Sequence, residues 1–202
     1  LCHGFGAPGD DLVQLGQWMG DQFPELGKRI HFIFPEAPLS LSQMGMPQGR
    51  AWWMIDTLTL QRAIETGNPR DLSRDVPEGM SEASKMVSEL VVLLMESYQI
   101  KEDRVILGGF SQGSMVTTDV ALKLKNTPGG LIVMSGTLVC ESIWSELSKK
   151  QEMLKILQSH GQQDPILPFE SAKALRNLFL KAGFDHQFLP FDGVHSIPKE
   201  VL

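Results

Sequence analysis

The chain has 202 residues, 42% of them hydrophobic and 21% charged, with a formal net charge of −6. That length fits one domain burying a sizeable core without disulfides or metal, and the composition is that of an ordered globular protein. The acidic balance argues against nucleic-acid or anionic-membrane binding, because there is no basic excess to exchange for counterions. No apolar run reaches the roughly 20 residues of a transmembrane segment. A small molecule is the expected partner. Cys2 and Cys140 are the only cysteines, spaced neither as a metal knuckle nor as a disulfide framework, which fits a reducing, cytoplasmic setting.

Short apolar runs alternate with longer stretches of helical period, the pattern of a mostly parallel central sheet with helices on both faces, so the fold class is α/β. In chain order the pattern predicts a helix over 10–22, a strand over 31–34, a helix over 81–98, a strand over 104–107 and a helix over 114–125. Strands over 130–134 and 153–157, a helix over 170–182 and a strand over 186–191 complete it. The interval 35–78 carries Pro, Gly, Arg and Asp without one dominant period. It reads as an elaborated loop at about 39–80, and the sulfur and aromatic rings of Met46, Trp52 and Trp53 mark it as packed and functional.

The stretch Gly109-Phe110-Ser111-Gln112-Gly113 joins a predicted strand to a predicted helix. A serine on such a sharp turn brings the residues two before and two after it into close approach, and glycine at both places relieves the clash. The following helix aims its free N–H groups and its dipole at the site, where they stabilise developing negative charge. Ser111 is therefore the expected nucleophile.

A serine hydroxyl needs a base and a carboxylate that orients the base. Three histidines follow Ser111. His186 starts the last strand, remote from the site, and His160 precedes the best acid, against the order nucleophile, acid, base. His195 follows the last strand in Asp192-Gly193-Val194-His195 and is the expected base. Asp164, after the strand 153–157 and at the carboxyl end where ligand sites gather, is the expected acid. Asp192, its rival, would need a tight local turn to face the imidazole. For the oxyanion, the backbone N–H of Gln112 and that of Phe5, in the turn His3-Gly4-Phe5-Gly6, are the expected donors. The side chain of His3 is left out of the site. Trp52, Trp53 and Met46 are candidate substrate-binding residues, with packing of the long loop as the competing role.

Taken in order, His3-Gly4-Phe5-Gly6, Pro35-Glu36-Ala37-Pro38, Ala51-Trp52-Trp53, Gly109-Phe110-Ser111-Gln112-Gly113, Ser135-Gly136, His160-Gly161-Gln162-Gln163-Asp164 and His195 resemble the phospholipase/carboxylesterase family, which includes the acyl-protein thioesterases. The resemblance spans essentially the whole chain. It implies an α/β-hydrolase fold, a triad on Ser111, Asp164 and His195, and hydrolysis of carboxylic esters, including thioesters and lysophospholipids, without a cofactor or metal. A small-molecule or lipid acyl ester is then the expected substrate. The chain departs from the family pattern at Ser114, where glycine is usual, and at Trp52-Trp53-Met54-Ile55-Asp56, which has extra residues before the acid. Family members also carry strands before the His-Gly turn and a helix after the last histidine. Residues 1–202 are thus expected to form one domain trimmed at both ends, with 198–202 starting that helix. A triad fixes acyl transfer and not the acceptor, so an acyltransferase or peptidase is the alternative reading among enzymes. A non-catalytic ligand-binding scaffold is the alternative outside them.

Overall fold

The computed structural model describes residues 1–201. Helix α1 (Val13–Gln22) stops at Phe23, before a proline that cannot continue it, and the short α2 (Pro24–Gly27) begins on that proline. Gly16 lets α1 settle on the segment 31–34, since a Cβ there would lie 2.7 Å from the Phe34 ring. The expected strand over 31–34 is not formed. A strand exists only by pairing, and among the described residues this backbone meets a single donor, the Leu1 amine on Ile33 O at 2.7 Å. Cys2 uses both its backbone groups in the other direction, on Gly108 O at 2.8 Å and Phe110 N at 3.0 Å.

The interval 39–80 is more ordered than its composition predicts. Strands β1 (Leu39–Ser40) and β2 (Arg50–Ala51) pair antiparallel. The Arg50 backbone then clamps the turn at residues 5–7, accepting from Gly6 N at 2.9 Å and donating to Ala7 O at 3.1 Å. Helix α3 (Thr57–Thr66) starts at Asp56, whose carboxylate accepts from Thr59 N at 3.0 Å, and ends at Gly67 in the left-handed region. Helix α4 (Met80–Tyr98) buries Met80, Ala83, Val87 and Val91 at spacings of three and four, which lays one stripe on the core.

Strands β3 (Ile106–Phe110), β4 (Gly130–Met134), β5 (Lys155–Gly161) and β6 (Asp185–Phe191) form a wholly parallel sheet in that order. Parallel neighbours require crossovers, supplied by α5 (Gln112–Lys123), α6 (Glu141–Ser148) and α7 (Phe169–Lys181). Strand β3 starts two residues later than predicted because Glu102–Arg104 forms a 3₁₀ turn. Strand β5 runs four residues further, through Gln158, Ser159 and His160. Their polarity hides a strand whose side chains are buried, and Gln158 donates to Ala172 O at 3.0 Å and meets His186 at 2.9 Å. Helix α6 was not predicted. Its Trp144 is fully buried, with the indole N–H on Asp119 Oδ1 at 2.9 Å.

Helix α5 is buried along every residue except Lys123. Hydroxyls tolerate that position because Thr117 and Thr118 donate back to Gly113 O and Ser114 O at 2.9 and 2.8 Å. At the chain's end Lys199–Val201 form a 3₁₀ turn, and Leu202, the last residue of the expected helix start, lies outside the described residues. No helix among the described residues is long and apolar enough to cross a membrane.

Candidate active site

Ser111, Asp164 and His195 follow the carboxyl ends of β3, β5 and β6, so the parallel sheet collects them on one edge. Ser111 sits at φ +53°, ψ −120°, a conformation that persists only where its surroundings impose it. They do so here through the backbone: Ser111 N–H donates to Met134 O at 2.9 Å, and Ser111 O accepts from Ser114 N at 3.0 Å and Ser114 Oγ at 2.7 Å. Ser114, the departure from the family's glycine, is thus a brace under the turn.

The two flanking glycines have no spare room. A Cβ on Gly109 would lie 2.5 Å from Gly113 C, and one on Gly113 would lie 2.1 Å from Cys2 O. Both contacts are with backbone, which cannot step aside as a flexible side chain could. Gly113→Ala is therefore expected to lose at least about 3 kcal/mol of stability, read as a lowered thermal midpoint and lost soluble yield.

The loops bearing Asp164 and His195 extend the pairing of β5 with β6. Gln162 N donates to Phe191 O and Gln163 N to Gly193 O, each at 2.9 Å. The loops cross closely at Gly161, where a Cβ would lie 2.3 Å from Val194 O. This zipper delivers His195 Nδ1 to Asp164 Oδ2 at 2.6 Å. A carboxylate only accepts, so Nδ1 carries the proton and Nε2 presents a lone pair. The imidazole rests on the Phe110 ring, with centroids 4.8 Å apart, and Ser135 Oγ holds its loop through Ser196 O at 3.3 Å. No hydrogen bond joins Ser111 to His195 among the described residues. Such a contact is often loose before substrate binds.

Asp164 is 6% exposed, and burial by itself would raise its carboxyl pKa. Hydrogen bonds outweigh that and hold it below the ordinary carboxylate range: from His160 and His195 on Oδ2, and from Leu167 N–H on Oδ1. Ile166 N–H also donates to Oδ1, at 2.9 Å. Asp192, the rival acid, makes no ion pair with His195 among the described residues.

The turn at residues 3–6 faces Ser111. His3 is buried, its Nδ1 on Gly4 O at 2.8 Å and its Nε2 accepting from Ala37 N at 3.1 Å. Burial lowers its pKa and keeps the imidazole neutral, as an accepting Nε2 requires. His3 is a strut for the turn. Among the described residues neither Phe5 N–H nor Gln112 N–H has an acceptor, so two donors are left free beside Ser111.

The Gln112 side chain does work that its place in the motif does not announce: Oε1 accepts from Trp52 N and Nε2 donates to Trp53 O, both at 2.8 Å. That pair ties the long interval to the elbow. A mostly apolar cavity of about 450 Å³ opens there, lined by Phe5, Ser111, Gln112, Trp53, Leu60 and Ile166 among others. Of the three candidate substrate-binding residues only Trp53 lines it. Trp52 is 3% exposed and spends its indole N–H on His3 O at 2.9 Å, and Met46 packs over Gly6. Thr59, Leu60 and Ala63 of α3 take their place in the wall. Among the described residues no group of three or more His, Cys, Asp or Glu side chains converges as a metal site would.

A parallel sheet crossed by helices, with a serine elbow after one strand and an acid and a histidine after two later ones, defines the α/β-hydrolase class. The chain belongs to the phospholipase/carboxylesterase family, whose sequence model matches residues 1–202. It is 30% identical to acyl-protein thioesterase 1 of Debaryomyces hansenii, in an alignment taking in 100% of this chain and 85% of that protein. It resembles the crystal structure of esterase PE8 with a TM-score of 0.77 and 25% identity over 99% of this chain and 85% of the other. Arabidopsis thaliana SOBER1, at 24% identity and TM-score 0.73 over 99% and 90%, shares the fold. The chain is a carboxylic ester hydrolase.

Proposed function

We propose that the chain cleaves carboxylic esters and thioesters through an acyl-enzyme on Ser111. The observation that carries this reading is the His195–Asp164 pair at 2.6 Å, set beside an elbow serine that opens with two free N–H groups on one apolar cavity. The name of the Debaryomyces relative adds acyl thioesters of proteins to the substrate class. Cys2 and Cys140 are both free and buried, which supports a cytoplasmic setting.

In this mechanism His195 Nε2 takes the Ser111 proton as Oγ bonds to the acyl carbon, and the charge reaching the carbonyl oxygen meets the N–H groups of Phe5 and Gln112. Asp164 fixes the imidazole tautomer and stabilises the imidazolium. His195 then returns its proton to the departing alkoxide or thiolate as the acyl–oxygen or acyl–sulfur bond breaks. Water attacks the acyl-enzyme, His195 accepts its proton, and Ser111 leaves with that proton restored.

Treatment with a fluorophosphonate, digestion and mass spectrometry are expected to place the label on Ser111, and prior saturation with an ester or an S-acyl peptide to slow labelling. Labelling of another residue, or none, overturns the assignment. Protection by esters alone removes thioesters from the substrate class.

A further inference from the structure

His160, set aside as the base because it precedes the acid, is the fully buried imidazole beside Asp164. Its Nε2 lies 2.7 Å from Leu167 O and 3.3 Å from Asp164 Oδ2. Both neighbours accept, so Nε2 carries the proton and shares it between them. Nδ1 is then a bare lone pair, buried and without a partner among the described residues. A buried nitrogen without a protein partner costs stability that leucine or phenylalanine would not incur in the same space. Packing alone therefore does not account for an imidazole here.

The contact pattern does. Leu167 is held on both sides of its peptide unit, its N–H on Asp164 Oδ1 at 2.9 Å and its C=O on His160. One imidazole thus closes the turn 164–167 and lies along the carboxylate oxygen that His195 uses. We propose that His160 is a positioning residue: it fixes the rotation of the Asp164 carboxylate and, by sharing Oδ2 with His195, limits how strongly that carboxylate favours the imidazolium. The proposal rests on the reading of Asp164 as the acid of the triad. His160 and His195 are the ionisable groups in contact with this carboxylate among the described residues, and the rings of Phe169 and Phe110 lie against them.

His160→Leu deletes the donor, and His160→Gln keeps an N–H where Nε2 stands. Rates are expressed per site labelled by a fluorophosphonate, so that loss of folded protein does not count. His160→Leu is expected to lower kcat about ten- to a hundredfold with KM within about threefold, because a displaced acid misaligns the base. The acid limb of kcat/KM should move up by about half a pH unit, since an unshared Oδ2 holds the proton on His195 more firmly. His160→Gln is expected to keep both rate and limb near the parent's. Any other pattern overturns the proposal, including parent-like kcat and limb in His160→Leu, or equal impairment in His160→Gln. If His160→Leu does not fold, His160→Asn takes its place under the same criteria, because its shorter amide reaches the Nδ1 position and not Nε2. Asp164→Asn run alongside separates the two claims. Activity kept there fails the triad and His160 with it, whereas activity lost there with His160→Leu unaffected fails His160 alone.

Discussion

Ser111→Ala is expected to lower kcat on a p-nitrophenyl ester by about 10⁴-fold or more while leaving the thermal midpoint within about 2 °C of the parent. The two halves follow from separate features of the turn. The side-chain oxygen makes no hydrogen bond among the described residues, so its removal breaks nothing that holds the fold. The strained backbone is fixed by Met134 O, Ser114 N and Ser114 Oγ, contacts that alanine retains, and alanine keeps a Cβ, so the strain is unchanged. Residual hydrolysis would come from the Phe5 and Gln112 N–H groups acting on a directly attacking water. Steady-state kinetics paired with thermal unfolding reads both halves. Retained activity defeats the serine assignment, and lost activity with a collapsed midpoint shows only that the turn has failed.

The parts of the site legible in the sequence are those where sterics leave one choice of residue. Gly109 and Gly113 face backbone at distances that no side chain survives, so their spacing around Ser111 announces the turn. Asp164 and His195 are legible by place, since each follows a strand end on the edge to which a parallel sheet brings its loops. What stayed hidden depends on partners distant in the chain. Segment 31–34 has the composition of a strand, yet pairing decides, and among the described residues only Leu1 donates to its backbone. Gln158 and His160 look like loop residues until Ala172 O of α7 and Leu167 O of the loop before it receive their side-chain N–H groups. Trp52 and Trp53 are adjacent and chemically alike, but one buries its indole N–H on His3 O while the other walls the cavity. Helix α3 did leave a local trace, with Asp56 placed to cap Thr59 and Gly67 to close the last turn, and the irregular composition around it masked that trace.

Asp164→Asn, nearly isosteric, is expected to cost about 10³- to 10⁴-fold in kcat, for a reason the hydrogen bonds dictate. Oδ1 accepts from the N–H groups of Ile166 and Leu167, so the asparagine oxygen must take that side. Its NH₂ then occupies the Oδ2 position and points its hydrogens at His195 Nδ1. The imidazole can accept there only by moving its own proton to Nε2, where it can no longer receive one from Ser111. Asparagine also removes the charge that stabilises the imidazolium, and it sets a donor against His160 Nε2–H. The stability difference between parent and variant should depend on pH. Because the folded pKa of Asp164 is depressed, its ionised form contributes stability that is fully present above the unfolded value of about 3.9 and is lost as pH falls through the folded value. Thermal midpoints measured from neutral pH downward are expected to show the parent's advantage over Asp164→Asn constant above about pH 5 and narrowing below pH 4. An advantage that widens on acidification would mean that the carboxylate is not held ionised by His195, His160 and the two backbone amides.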